Sequence, residues 1–453
     1  MGDVVAPPAG GVGAGFAGLA CAYELKSVGY DVTVIEARPR LGGRVLSFGD
    51  FVPGKNVEGG GELIGSNHPA WVAYAEKFGL EFLDVSEPEE VEFPIVLGGQ
   101  RLTTTESEEL WEAMDAAFGL MNADAEPINA DEPWKSPNAE ALDKQSMAHW
   151  LARQDLPALC KMGIAAQLQA DNGTATANQS YLGLLASVKG GGLDKYWTDS
   201  EVYRCKGGNQ QLALKLADAV GAARILTGVA ARTIQSRGKE MLIGCGDGRT
   251  LTCDDVVLAV PPPTWKKIEI TPGLPAGLTP QMGTNVKMLA RVKSRYWEAN
   301  KLAADMMTDD EVSMTWDGTD GQREEANDGG EACLTCFSGG PGAERVRTRE
   351  PQDRNKKYAQ TLESIFPGYE ANVNGTRFMD WPAEQFTGAG YSFPAPGQVT
   401  SVGPLLVGAH AGGRLHLAGE HCCYKFVGYM EGGLQSGMAA AKRIAIRDGA
   451  ISR

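Results

Sequence analysis

Apolar positions along the chain follow two periodicities. From Ala14 to Leu25 they recur at helical spacing, and Gly29 suits the helix end. DVTVIEA follows as a short buried strand, because Val32, Val34 and Ile35 are β-branched. From about residue 70 to 200 the pattern is mostly helical: AWVAYAEKFGL, ELWEAMDAAFGLM and ALDKQSMAHWLARQ each predict a helix. EVEFPIVLGGQRL predicts a short hairpin between them, and ADAEPINADEPWKSPNAEA an acidic, proline-containing loop. Beyond Val202, NQQLALKLADAV predicts a helix, and ARILTG, RTIQSR, EMLIGCGDGRTLTC and DDVVLAV predict consecutive strands ended by PPP. GTNVKMLARVKSRYW reads as a strand, EACLTCFSGG as a strand entering a glycine turn, DGTDGQREEANDGG as a polar loop and RNKKYAQTLESIFPGY as an amphipathic helix. GRLHLAGE and YMEGGLQSGMAAAKRIAI close the chain as strand and helix.

This order predicts an α/β protein of two interleaved domains. A discontinuous Rossmann-type dinucleotide domain takes 1–72, 202–278 and 400–453, and an α+β substrate domain with a helical insert takes 73–201 and 279–399. A prior of roughly 150 residues per domain agrees with two or three domains in 453 residues.

Composition narrows the picture by exclusion. A net charge of −15 argues against nucleic acid or anionic membrane as a partner, and it favours solubility. Nine cysteines without a regular framework indicate no disulfide scaffold, and the single CxxC at Cys333 and Cys336 lacks the second pair of a zinc site. With no long apolar run and no leader-like start, the default location is the cytoplasm.

Chemistry enters at Gly13, Gly15 and Gly18, a GxGxxG at the opening of the first helix. The first glycine allows the turn, the second the approach of a pyrophosphate to the backbone, and the third close packing of helix on strand. Glu36 ends the next strand 18 residues beyond Gly18, where a carboxylate accepts ribose hydroxyls and repels a 2′-phosphate. One feature fits badly: VVAPPAGGV puts Pro7 and Pro8 where the central strand needs ladder donors. Either that strand is very short or this end of the chain is altered.

The continuation RPRLGGRVLSF extends the motif. GAGFAGLACAYEL…VTVIEARPRLGGRV resembles the N-terminal signature of the flavin-containing amine oxidases, and is most similar to their monoamine oxidase subgroup. VEGGGELIG, VYRCKGGNQQLALKLADAV, ILTGVAARTI…CDDVVLAVPPP and HLAGEHCCYKFVGYMEGGLQSGMAAAKRI resemble later family segments, in the same order. The resemblance implies a glutathione-reductase-like FAD domain. It implies FAD contacts from Arg38, Gly43, Arg44, Gly60, Gly61, Glu62, Val229, Gly419, Glu420, Gly428 and Met430 as well as the first glycines and Glu36.

The resemblance also implies the catalytic side. Lys287 matches the lysine that holds a water at flavin N5; read from the sequence alone it is equally a surface strand lysine. Tyr391 and Tyr429 match an aromatic cage over the flavin, with Trp381 behind it, or are simply core aromatics. Gly390 stands where mitochondrial monoamine oxidases carry the cysteine bonded to FAD, so FAD is expected to be non-covalent. Cys422 and Cys423 read as packing residues, and the chain ends without those enzymes' membrane anchor. No metal is expected.

The implied reaction passes hydride from an amine Cα–H to flavin N5. It gives an imine and then an aldehyde or ketone, with O2 reduced to H2O2. The turn Gly61-Glu62-Leu63-Ile64 lacks the arginine by which L-amino-acid oxidases hold an α-carboxylate, which favours an amine without one. Glu62 either meets the cationic amine or serves as an internal structural acceptor, and Tyr196 and Trp197 are candidates for the entrance channel. An L-amino-acid oxidase, an oxidase of a secondary-metabolite amine or amide, and an inert flavin-binding scaffold stand as alternatives. The expected partners are a small amine and O2, and a homodimer is compatible with the sequence.

Overall fold

The first strand carries its proline at its first position. The computed structural model describes residues 8–85, 91–322 and 330–452. In it Pro8–Val12 lies at the centre of a six-stranded sheet, ordered Ala409–His410, Leu415–Leu417, Asp255–Leu258, Pro8–Val12, Asp31–Glu36, Ile225–Thr227. Pro8 opens the strand, where a missing N–H is tolerated, and its carbonyl still accepts from Asp254 N at 2.8 Å. The strand is short, with five residues; Pro7 lies outside the described residues. Five of the six strands run parallel, and the edge strand Ala409–His410 is antiparallel.

The helix Phe16–Ser27 packs on this sheet, and the helix Met430–Arg447 packs on Phe16–Ser27, where a Cβ on Gly437 would stand 2.2 Å from Ala17 O. The approach is close. A Cβ on Gly18 would stand 2.0 Å from Gly13 O, so only glycine lets the helix leave the turn at that angle.

A four-stranded sheet (Thr250–Cys253, Glu240–Cys245, Ala231–Arg237, Glu269–Thr271) adjoins the parallel one. A seven-stranded sheet is built from Val373–Met379, Asn285–Val292, Ala332–Gly339, Met314–Asp317, Met306–Thr308, Ile95–Leu97 and Gln100–Arg101. The last two form the predicted hairpin. Cys333 and Cys336 sit on one strand three apart and pack into different core clusters, so they do not face a common ligand.

Helices Thr104–Ala125, Ala158–Asn172 and Tyr181–Gly191 fill the insert. One expectation is corrected here. ALDKQSMAHWLARQ is two helices, Ala139–Lys144 and Met147–Arg153, because the Ser146 side chain caps the second by accepting from His149 N. The strand Ala332–Gly339 likewise runs into a helix, Gly340–Arg347, rather than a turn alone. Residues 323–329 of the polar loop lie outside the described residues.

Candidate active site

One continuous cavity of about 650 Å3 runs from the glycine turn to the aromatic residues of the second half of the chain. At its first end Gly13, Gly15, Phe16 and Ala17 present the start of a helix that has no side-chain cap, leaving backbone N–H groups for an anion. Gly43 faces Gly15 across this end, and a Cβ on Gly43 would come within 3.2 Å of Gly15 Cα. Two backbone turns thus make a groove that side chains would fill. Glu36 is buried; Oε2 accepts from Ala14 N and Oε1 from Arg38 N, and each oxygen keeps a lone pair for a further donor. Arg38 is anchored by Glu384 and Thr387, and Val229 N bonds Glu36 O at 2.8 Å.

Midway along the cavity, Arg44 reaches Glu420 at 3.0 Å and Gly390 O at 2.6 Å. Glu420 also accepts from Ser392 Oγ at 2.6 Å and Gly428 N at 3.0 Å. Burial alone would raise its pKa. The Arg44 guanidinium and the two hydrogen bonds outweigh that and hold it below the usual carboxylate range. The last helix begins at Met430 with no side-chain cap, and Met430 and Gly433 line the wall.

At the far end Lys287 lies in the middle of a strand paired on both sides. It is 6% exposed, so it is not a surface lysine. Its Nζ donates to Glu62 Oε2 at 2.6 Å and Gly60 O at 2.8 Å, and lies 5.1 Å from the Trp316 ring. An ammonium has three donors, so one remains for the cavity. Tyr391 donates to Asp171 O at 2.6 Å and accepts from Asn285 Nδ2 at 3.0 Å. The Tyr429 ring lies edge-on to His68, with centroids 5.2 Å apart. Burial, then nearby acidic groups (carboxyls at Tyr391, Tyr196 and carboxyls at Tyr429), pushes both phenols well up, so both rings stay neutral.

The sequence matches the family described as flavin containing amine oxidoreductase over residues 16–445. The chain belongs to that family. It is therefore an oxidoreductase of amines with FAD as its cofactor, and the glycine groove, uncapped helix starts and anchored Arg38 described above fit FAD. The chain is similar to an L-amino acid dehydrogenase of Synechocystis sp. (26% identical over 452 residues, 96% of this chain and 93% of that protein). It is also similar to the flavin-containing amine oxidase A of Sus scrofa (25% over 474 residues, 98% and 85%). Cyclohexylamine oxidase from Brevibacterium oxydans has the same fold, with a TM-score of 0.86 over 98% of this chain and 100% of that one, at 24% identity. Among the described residues no helix is long and apolar enough to cross a membrane.

Of the family's expected FAD and substrate residues, all but Gly18 line this one cavity. Gly18 serves helix packing instead. Of the two readings open for Glu62, its contacts favour the internal acceptor: Arg204 Nε at 2.8 Å and Trp316 Nε1 at 2.8 Å join Lys287 on its two oxygens. A carboxylate so occupied is an internal counterion rather than an anchor for substrate. Trp381 lines the same cavity, donates to Gly59 O at 3.0 Å and braces the second glycine turn. Trp197 stacks on Phe118 with centroids 4.0 Å apart and bonds Asn122, with Tyr196 beside it on the wall. Cys422 and Cys423 do not line the cavity; burial pushes both thiols up, Cys423 to about 12, which keeps them unreactive.

Four site residues escape sequence reasoning. Asn285 had a signal, standing two before Lys287 on one strand and so on the same face. Arg204, Asp171 and Glu201 had none, because their partners are distant in the chain.

Proposed function

We propose that the protein oxidises a primary or secondary amine without an adjacent carboxylate, binding FAD non-covalently along the cavity. When bound, FAD supplies the two-electron acceptor for the substrate Cα–H and passes the electrons to oxygen. Gly13, Gly15, Gly43 and the helix start hold the pyrophosphate, Glu36 the ribose hydroxyls, and Val229 the adenine side. Arg38, Arg44, Gly60, Gly61, Gly419, Glu420, Gly428 and Met430 hold the remainder. The helix beginning at Met430 favours negative charge developing nearby. Lys287 keeps its third N–H for a water. Tyr391 and Tyr429 orient the neutral amine and exclude solvent.

The observation that carries the proposal is Lys287, held by Glu62 and Gly60 at the wall that also holds both tyrosines. Non-covalent binding is supported at Gly390, where even a Cβ would stand 2.3 Å from Asn285 Oδ1 and leave no room for a thiol. Against an amino-acid substrate, Arg204 is already committed to Glu62.

Anaerobic mixing of the yellow protein with amines and L-amino acids, following flavin absorbance, tests this. Bleaching by amines, reversed by air, is the expected result. Bleaching by amino acids alone would favour the second reading, which the Synechocystis relative's name supports. Recovery only with an artificial acceptor would replace oxygen as the oxidant.

A further inference from the structure

Arg204 is a buried cation that stands behind the cavity wall rather than on it. It lies at the centre of the short strand Tyr203–Cys205, is 4% exposed and does not line the cavity. Its Nε donates to Glu62 Oε1 at 2.8 Å, and its two other nitrogens donate to Asp317 O at 2.6 Å and Asp320 O at 3.4 Å. The Asp317 carboxylate is taken by Arg295 at 2.6 Å and by Thr319 N and Oγ1 at 2.8 and 2.7 Å. Burial and the Asp317 charge raise the neighbouring Asp320 carboxyl, which weakens it as a rival counterion. Among the described residues Glu62 is the one carboxylate that Arg204 bonds.

Glu62 does line the cavity. It carries Arg204 on one oxygen and Lys287 on the other, at 2.6 Å, and Trp316 Nε1 shares the first oxygen at 2.8 Å. Two cations thus meet one carboxylate, leaving a buried trio of net charge +1. Burying such a trio is costly, and apolar side chains of like volume would hold a fold as well. The excess charge has another use at this position. Glu62 and Lys287 alone would cancel at the wall. With Arg204 on the far oxygen, Glu62 still fixes the Lys287 ammonium, but its charge is already matched and the field of Lys287 reaches the cavity. Glu58 and Glu201 are the other carboxyls coupled to Glu62 and Lys287, and burial raises both, which lessens their opposition.

We propose that Arg204 is a positioning residue for the redox step: acting through Glu62, it keeps the Lys287 charge uncancelled towards the flavin and so raises the flavin's reduction potential. The proposal rests on the placement of Lys287 beside the flavin given above. A flavin gains negative charge on reduction, so a net positive wall favours the reduced form.

The test is the two-electron midpoint potential of the bound flavin, read by equilibration of the holoenzyme with a reference dye at one pH. Arg204→Gln takes the trio from +1 to 0. It should shift the reduction equilibrium about tenfold towards the oxidised form, about 30 mV downwards, as for a unit charge about 10 Å away. Glu62→Gln takes the trio to +2 and should shift the potential about as far upwards. The double variant restores +1 and should return close to the unaltered protein. Arg204→Lys, which keeps the charge but loses the planar fork, should hold the potential, whereas a merely structural arginine would not be rescued. An unchanged potential in Arg204→Gln, shifts of the same sign in both single variants, or a fall as large in Arg204→Lys as in Arg204→Gln would overturn the proposal. If Arg204→Gln does not retain flavin, Glu62→Gln decides alone, and a fall or no change there overturns it. Lys287→Met should also lower the potential. If it does not, the placement of Lys287 fails and the proposal with it; a fall there with none in Arg204→Gln strikes Arg204 alone.

Discussion

Glu420 and Glu201 are carboxyls on the wall of one cavity, both desolvated, and burial drives both towards the neutral acid. They end in opposite states. Glu420 receives Arg44, Ser392 and Gly428 from the protein and is held below the usual range, whereas Glu201 has no cation bonded to it and sits above it. The cofactor half of the cavity is thus electrostatically complete before anything binds. In the substrate half burial outweighs the nearby Lys287 charge at Glu201, and its carboxyl stays raised. Desolvation is common to both, and the partners supplied by the fold decide the sign.

Arg44→Met would break this contrast most sharply, because it turns Glu420 into an unpaired buried acid. Removing one partner of a buried pair costs about 3–5 kcal/mol, so thermal unfolding should show a large drop and the purified protein should lose FAD. An unchanged melting temperature would mean that Ser392 and Gly428 suffice.

Lys287→Met acts where the two halves meet. With Arg204 and Trp316 still on Glu62, the fold should hold. Reoxidation of the reduced enzyme by oxygen should slow by about a hundredfold, as for loss of a positioned proton donor. Stopped-flow mixing with aerated buffer reads this, and an unchanged rate removes Lys287 from the chemistry.

Gly390→Ala is a smaller perturbation. Its Cβ would stand 2.3 Å from Asn285 Oδ1 and push on the residue that hydrogen-bonds Tyr391. A loss of about 1–3 kcal/mol in denaturant unfolding is expected for overpacking. Acid precipitation of the unaltered holoenzyme should release its flavin into the supernatant.

The smallest effect is in pH. Glu58 is buried behind Glu62, and burial raises its carboxyl from 4.5 to about 7. A carboxyl raised by folding favours the folded state while protonated; its contribution is complete below pH 4.5 and lost as pH rises through about 7. Glu420 has the reverse sign, its contribution being present above 4.5 and lost on acidification. Glu58→Gln should therefore flatten the fall in melting temperature between roughly pH 5 and pH 7 and leave the acid limb intact.

Much of the cofactor half was legible because its chemistry is local. Gly13, Gly15, Gly18 and Glu36 occupy one strand–helix–strand unit, where backbone sterics and helix ends set the function within a few residues. Lys287 was legible as a candidate, but strand periodicity alone could not separate a buried lysine from an exposed one. The sheet pairing on both of its sides did that.

By itself the sequence determined the glycine turn, the order of helices and strands, and the absence of a thiol at Gly390. The tertiary structure alone decided what each charge meets. Glu62 is bonded to Arg204 across 142 residues and to Lys287 across 225, and Asp171 shares a cavity with Glu201 through the packing of a helical insert. It also decided that Pro8 is tolerated, since only the strand register shows that its missing donor falls at the strand's first position. The physical reason is one of range: backbone geometry acts between neighbours in the chain, whereas ion pairing and desolvation act between neighbours in space.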